Sequence, residues 1–369
     1  MVRPAKTLIL VISALACTTA AASPQEGIIT FHGLSDASAA IAIKDMFIVA
    51  DDETNSLRLY KTADPSAPIS TLDLTRFLSI EPDHPEADIE AAAVVGNRIY
   101  WITSHGRNKD GKLRPNRNRF FATDIKADND NIQITPAGRP CSTLLQSMFR
   151  NTDLVALGLY QSALLYNTDI SKKQQEKLAP KDEGLNIEGL AASPDGKTLY
   201  IAFRNPRPIN HVNHRPNALV VTLANPDAVI DDRAEPVFAP PLLWDLNGLG
   251  IRSIEYSPFH KAFFLIAGPH DETSRFLIYR WSGDHKDNPV AVMPITANGF
   301  TPEALAPIDD SPRLLLLSDD GSVVVTISDP SECIPGELIK KDKCLNKYLL
   351  NTAKRTFRAM FITPPCTPQ

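Results

Sequence analysis

The amino-acid sequence predicts an all-β fold, a β-propeller with six blades most favoured and five as the alternative. Three observations predict it. A pattern of apolar strand, tight turn, second apolar strand and polar exit recurs along the whole chain. The recurrences lie roughly 50 residues apart or at about twice that, which is blade spacing. The 369 residues hold 30 Pro against 17 Gly, a composition of short elements joined by stiff turns rather than of long helices. A β-sandwich is the other architecture open to such strands, but it gives no reason for one polar residue to recur at the same place in each hairpin.

In chain order, Arg3 and Lys6, the apolar run 8–16 and the small residues Ala20, Ala21 and Ala22 form a secretory signal, residues 1–22, with cleavage expected before Ser23. Cys17 then leaves with the signal; the alternative is a lipid anchor on that cysteine. Residues 23–369 form a single domain, periplasmic or secreted. No other apolar run reaches the ~18 residues of a spanning helix, so no transmembrane segment is expected. An isolated strand, EGIITFHGL from Glu26, precedes the first hairpin. The hairpins are ASAAIAIKDMFIVADD from Ala37, DIEAAAVVGNRIYWITSH from Asp88, NIEGLAASPDGKTLYIAFRN from Asn186, GIRSIEYSPFHKAFFLIAG from Gly250 and TPEALAPIDDSPRLLLLSDD from Thr301. Their turns (KD, GN, SPDG, SPFH, DDSP) are hairpin signals. The stretch STLLQSMFRNTDLVALGLYQSALLYNT from Ser142 is the place for a degenerate further copy. KKDKCLNKYLLNTAKR, from Lys340, is expected to be a short amphipathic helix over a sheet edge. RTFRAMFIT, from Arg355, is expected to be a strand sharing one blade with the first strand of the chain, which closes the ring.

Net charge is −5, and −7 once Arg3 and Lys6 are removed, which disfavours a nucleic-acid partner. The mature chain keeps Cys141, Cys333, Cys344 and Cys366. An even count in an oxidising compartment suggests two disulfides, with three pairings open. Cys333 with Cys344, a short loop, and Cys141 with Cys366 is the favoured set. None has zinc-knuckle spacing. Walker, Rossmann and EF-hand patterns are missing, so no nucleotide cofactor is indicated.

Aligned on their turns, the hairpins place Ser38, Glu90, Glu188, Arg252 and Glu303 at one position of the first strand. A hairpin returns to the end where it began, so Glu90 is expected beside Ser104, His105 and Arg107, and Glu188 beside Arg204 and Asn205. The same rule sets Arg252 beside His270 and Asp271, and Glu303 beside Asp319 and Asp320, with Asp51 and Asp52 following the first hairpin. Carboxylates that converge repel one another and need arginines or a cation such as Ca²⁺, which accepts several oxygens. Glu90, Glu188 and Glu303 are therefore the candidate metal ligands. The alternative role for each is to staple blades by accepting backbone N–H bonds. Arg107, Lys109, Lys112, Arg114, Arg117 and Arg119 crowd one loop with a single acid, Asp110, and that loop is expected over the channel mouth. Arg107, Lys109, Arg204 and Asn205 are the candidate contacts to an anionic ligand. His211 and His214 stand three apart in a Pro-rich loop, without the helical frame of a metal pair.

At DIEAAAVV, ITSHGRNKDGK, NIEGLAASPDGKTLYIAFRNP and GIRSIE, the sequence resembles a family of exported bacterial proteins known only as a domain of unknown function. More distantly, the I-E-G/A-L-A hairpins are similar to phytase-like esterase propellers. That resemblance implies strand-initial Glu residues, here Glu90, Glu188 and Glu303, facing a channel that can hold calcium. Ser38 and Arg252 break a symmetric ring of Glu. Two functions follow as expectations. One is a binding module for an anionic small molecule or protein, with or without a metal, at one end of the channel. The other is a calcium-assisted hydrolase of phosphoesters or carboxylesters, with His105, Glu188 and Arg252 as its catalytic set and Arg107 and Arg204 neutralising developing charge.

Overall fold

Each expected hairpin is the first half of a four-stranded antiparallel sheet. The computed structural model describes residues 25–128, 131–163, 169–181, 183–270 and 275–365. The signal segment with Cys17, together with Asp271 and Cys366, lies outside the described residues.

The strand β1 (Ile29–His32) opens the described fold. The first sheet is β2 (Ala37–Ile43), β3 (Met46–Asp51), β4 (Ser56–Lys61) and β5 (Ser70–Asp73). The second is β6 (Ile89–Val95), β7 (Arg98–Thr103), β8 (Phe120–Asp128) and β9 (Asn131–Cys141). Four short helices follow: α1 (Leu144–Met148), α2 (Thr152–Ala156), α3 (Leu159–Ala163) and α4 (Lys172–Lys177). The third sheet is β10 (Asn186–Ala192), β11 (Leu199–Asn205), β12 (Ala218–Leu223) and, after α5 (Pro226–Asp231), β13 (Leu242–Trp244). The fourth is β14 (Gly250–Ser257), β15 (Ala262–Gly268), β16 (Phe276–Trp281) and β17 (Val290–Ile295). Next come β18 (Pro302–Pro307) and β19 (Leu314–Ser318), then β20 (Val324–Thr326), β21 (Leu338–Lys340), β22 (Lys343–Leu345) and β23 (Thr356–Ile362). The fifth sheet runs β1-β23-β19-β18, so strands from both chain ends share it, with Phe31 opposite Phe357.

The arrangement is that of a β-propeller. The first strands touch in the succession β2, β6, β10, β14, β18 and back to β2. Five hydrophobic clusters fill the spaces between sheets, each drawn from two successive ones. Trp101 and Phe121 of the second sheet pack with Ile48 and Leu57 of the first, and Trp281 and Phe263 of the fourth with Tyr200 of the third. All three Trp are thereby packing residues. The first strands are rich in Ala (Ala39, Ala40, Ala91, Ala92, Ala191, Ala304), small side chains that let backbones converge where the strands crowd together.

Two expectations are corrected. The Ser142 stretch is not a copy of the hairpin: its described part forms α1, α2 and α3, whose Leu144, Leu145, Leu154 and Leu159 pack onto the second and third sheets. Residues 164–168 of that stretch lie outside the described residues. The segment from Lys340 is not an amphipathic helix. Cys333 is bonded to Cys344, and that crosslink ties a small sheet in the order β20-β22-β21, followed by single 3-10 turns at Asn346–Tyr348 and Thr352–Lys354. Of the expected pairings the short-loop one is present, while Cys141 is free among the described residues.

Candidate functional site

In each of the five first strands the ladder skips one residue: Ser38, Glu90, Glu188, Arg252 and Glu303. An unpaired bulge residue is turned away from the regular pleat, so the slip re-aims its side chain. These are the five residues that the sequence alignment singled out. The repeated polar position is thus a repeated bulge.

On one side of the site the bulge residues neutralise each other. Arg252 Nε lies 3.0 Å from Glu188 Oε2, and its Nη2 is paired with Glu303. Glu188 Oε1 meets Arg204 Nη1 at 2.9 Å and accepts from Asn186 Nδ2 at 2.6 Å. Arg204 in turn donates to the carbonyl of His270 at 2.8 Å. Burial works against the Arg252 charge, but Glu188, Glu303 and Glu90 more than offset it and push its pKa up. Burial pushes Glu303 up to about 7, against the pull of Arg252.

On the other side carboxylates gather with fewer cations. One oxygen each of Asp52, Asp88 and Glu90 lie within 4.8 Å of one another, and so do oxygens of Asp36, Asp52 and Glu53. Asp52 belongs to both groups, and its Oδ1 is buried without a hydrogen bond. Glu90 is 8% exposed and has no hydrogen-bond donor among the described residues. Burial, then Asp88, Glu188 and Glu303, push Glu90 well above the carboxylate range. Burial, then Asp36, Asp319 and Glu90, do the same to Asp52. Burial and Asp51 bring Asp36 to about 7, and burial and Asp36 bring Asp319 to about 7. The cations here stand at the margin: Arg117 Nη1 is 2.8 Å from Asp88 Oδ2 and also pairs with Glu86, and Lys347 Nζ is 2.5 Å from Glu53 Oε1. Ser104 Oγ donates to Asp88.

The structure therefore divides the three expected metal ligands. Glu188 and Glu303 are engaged by guanidinium groups, and Glu90 alone joins a carboxylate group. Asp320, expected beside Glu303, instead holds Arg358 at 2.6 Å. His105 is buried, and burial pushes its pKa down to about 4; its Nδ1 donates to the Thr103 carbonyl at 2.8 Å. The basic loop divides: Arg117 reaches Asp88 in the carboxylate group, while Arg107 Nε donates to Ala163 O at 3.2 Å and Arg119 Nε to Leu78 O at 2.8 Å. Lys109 is exposed on that loop, and Asn205 donates to the Pro180 carbonyl at 2.8 Å. His211 and His214 are both exposed.

Sequence reasoning missed Asp36, Glu53, Asp88, Arg117 and Lys347 as members of the site. Two of them carried a signal. Asp36 and Asp88 stand two residues before the bulge, where the third copy has Asn186, so the repeat extends upstream as D-x-S, D-x-E and N-x-E. Asp52 and Asp319 answer from just past the second strands, each donating its backbone N–H to the residue two before the bulge, Asp36 and Thr301.

The family model described as protein of unknown function (DUF3616) matches residues 36–298. No curated protein matches the sequence. Among solved structures, the glutaminyl cyclase of Myxococcus xanthus is 11% identical with a TM-score of 0.41, over 79% of this chain and 89% of that one. A luciferin-regenerating enzyme is 7% identical with a TM-score of 0.38, over 91% and 95%. The β-propeller domain of Myceliophteria thermophila Cps50 (Swd1) is 7% identical with a TM-score of 0.32, over 89% and 84%. Likeness at this level bears on no activity.

Proposed function

The chain belongs to the DUF3616 family, and on that footing we propose that it is an exported, five-bladed propeller that holds calcium among the carboxylates at one end of its channel and presents the ion to an anionic ligand. Each four-stranded sheet is taken as one blade. The observation that carries the reading is Asp52, shared by two sets of three carboxylates whose oxygens lie within 4.8 Å, with its own Oδ1 buried and unbonded. Calcium takes six to eight oxygens at about 2.3–2.6 Å, so oxygens across one ion stand about 5 Å apart. That matches the spacing. Buried carboxylates that repel one another gain more from a divalent cation than solvated ones do. Arg204 and Arg252 are already engaged by Glu188 and Glu303, so the ion, rather than these arginines, would meet the anion. The Cys333–Cys344 disulfide suits the oxidising compartment that export implies.

The test is the melting temperature of residues 23–369 in EDTA and in Ca²⁺. Calcium is expected to raise it, and Asp52→Asn to abolish the rise. No rise, with no calcium by elemental analysis, overturns the proposal. A second reading, calcium-assisted hydrolysis of phosphoesters or carboxylesters, is favoured by Glu303, whose pKa of about 7 suits general acid–base work near neutrality. p-Nitrophenyl phosphate and acetate, tried in Ca²⁺ against Glu188→Gln and Glu303→Gln, decide it. A rate indifferent to both substitutions removes that reading.

A further inference from the structure

A second site lies away from the carboxylates. Between the basic loop, α1 and the end of α3 is a cavity of about 370 Å³, of the size that small-molecule ligands occupy. Its lining shares no residue with the carboxylate groups. Leu113, Ala163 and Leu185 give it apolar walls, while Arg107, Arg114 and Arg119 give it three guanidinium groups against one exposed carboxylate, Glu81. Arg119 is committed to backbone carbonyls at Leu78, Ser79, Pro115 and Asn118. Arg114 is not. Among the described residues its guanidinium makes one hydrogen bond, Nη1 to its neighbour's carbonyl at Leu113, 2.9 Å, which leaves the rest of its fork for a ligand.

His105 is the second observation. It lines the same cavity and is only 3% exposed. Its Nδ1 carries the proton given to Thr103 O, so Nε2 is a bare acceptor, and Nε2 is buried with no hydrogen-bond partner. A buried acceptor left unbonded is destabilising, and a donor entering the cavity would remove that cost.

We propose that this cavity binds a small carboxylic acid with an apolar body and one hydrogen-bond donor, the carboxylate on Arg114 and the donor on His105 Nε2. The guanidinium fork fits a carboxylate in two-point contact, and the apolar walls select against bare inorganic anions. The site is independent of calcium, so it stands or falls apart from the function proposed above.

N-acetylleucine, 4-hydroxyphenylacetate and 2-hydroxy-4-methylpentanoate each carry these three features and serve as probes. Calorimetry on the mature chain is expected to show millimolar or tighter binding of at least one, equal in EDTA and in Ca²⁺. Arg114→Gln, at a half-exposed position, is expected to weaken it at least tenfold, whereas Arg150→Gln, outside the cavity, leaves it unchanged. Because His105→Phe risks the fold, His105 is tested without substitution: its Nε2 resonance in a ¹H–¹⁵N spectrum should shift when the probe binds. Failure of all three probes to bind at millimolar concentration overturns the proposal. So does binding unchanged in Arg114→Gln, an Nε2 resonance that stays still, or equal competition by inorganic phosphate.

Discussion

Arg252 is the one bulge residue of positive charge, and its position explains why three Glu can share so small a space. It pairs with Glu188, which is buried, and with Glu303, which is largely buried. Removing one partner from a buried ionic set leaves the others uncompensated, which costs about 3–5 kcal/mol. Arg252→Met is therefore expected to lower unfolding free energy by about that amount in urea. Adding Glu303→Gln should recover part of it, because among the described residues Glu303 has no other ion-pair partner while Glu188 keeps Arg204. Equal stability of single and double variants would show that the pair is not coupled. At this scale the sequence was informative about positions and poor about partners. One polar residue per hairpin was visible because the repeat made it so. Which carboxylate faces Arg252 and which faces Asp52 depends on the neighbouring sheet, and nothing local records that.

Hairpins are legible because each is a local object: strand composition, turn residues and length all lie within about 20 residues. The helix expected from Lys340 failed for the complementary reason. Its Leu and Lys spacing suits a helix, but Cys344 is tied to Cys333, eleven residues upstream, and β20 pairs with β22 across the crosslink. Tertiary constraint overrode a weak propensity. The small sheet also delivers a functional group, since the 3-10 turn after β22 carries Lys347 to Glu53. Closing a short loop removes unfolded-state entropy worth about 3 kcal/mol. The double change Cys333→Ser, Cys344→Ser is expected to destabilise the protein by about that much, as is dithiothreitol on the unaltered chain. If neither moves the denaturation midpoint, the crosslink contributes nothing to the folded state.

The acid groups also bear on the molecule as a whole through pH. Burial brings Asp51 to about 6 and Asp36, Glu86, Glu303 and Asp319 to about 7, and it takes Asp52, Glu90 and Glu255 well above the ordinary range. Unfolded, all of these titrate near 4. The folded chain therefore holds more protons than the unfolded one between about pH 4 and 7, and stability falls as pH rises through that window. His105, pushed down to about 4, runs the other way below 6.5, as does His260, but two imidazoles oppose eight carboxyl groups. In EDTA the melting temperature is expected to drop from pH 5 to pH 8, on the order of 5 °C. Calcium should remove most of that drop, because the ion takes the place of the protons, and its affinity should weaken as pH falls through 7. An EDTA profile that is flat or rising from pH 5 to 8 would show that these carboxylates are not held together in the folded chain. The closed succession of sheets makes the effect collective. Asp36 and Asp52 come from the first sheet's end, Asp88 and Glu90 from the second and Asp319 from the fifth, so only a ring that returns on itself brings them within reach of one another.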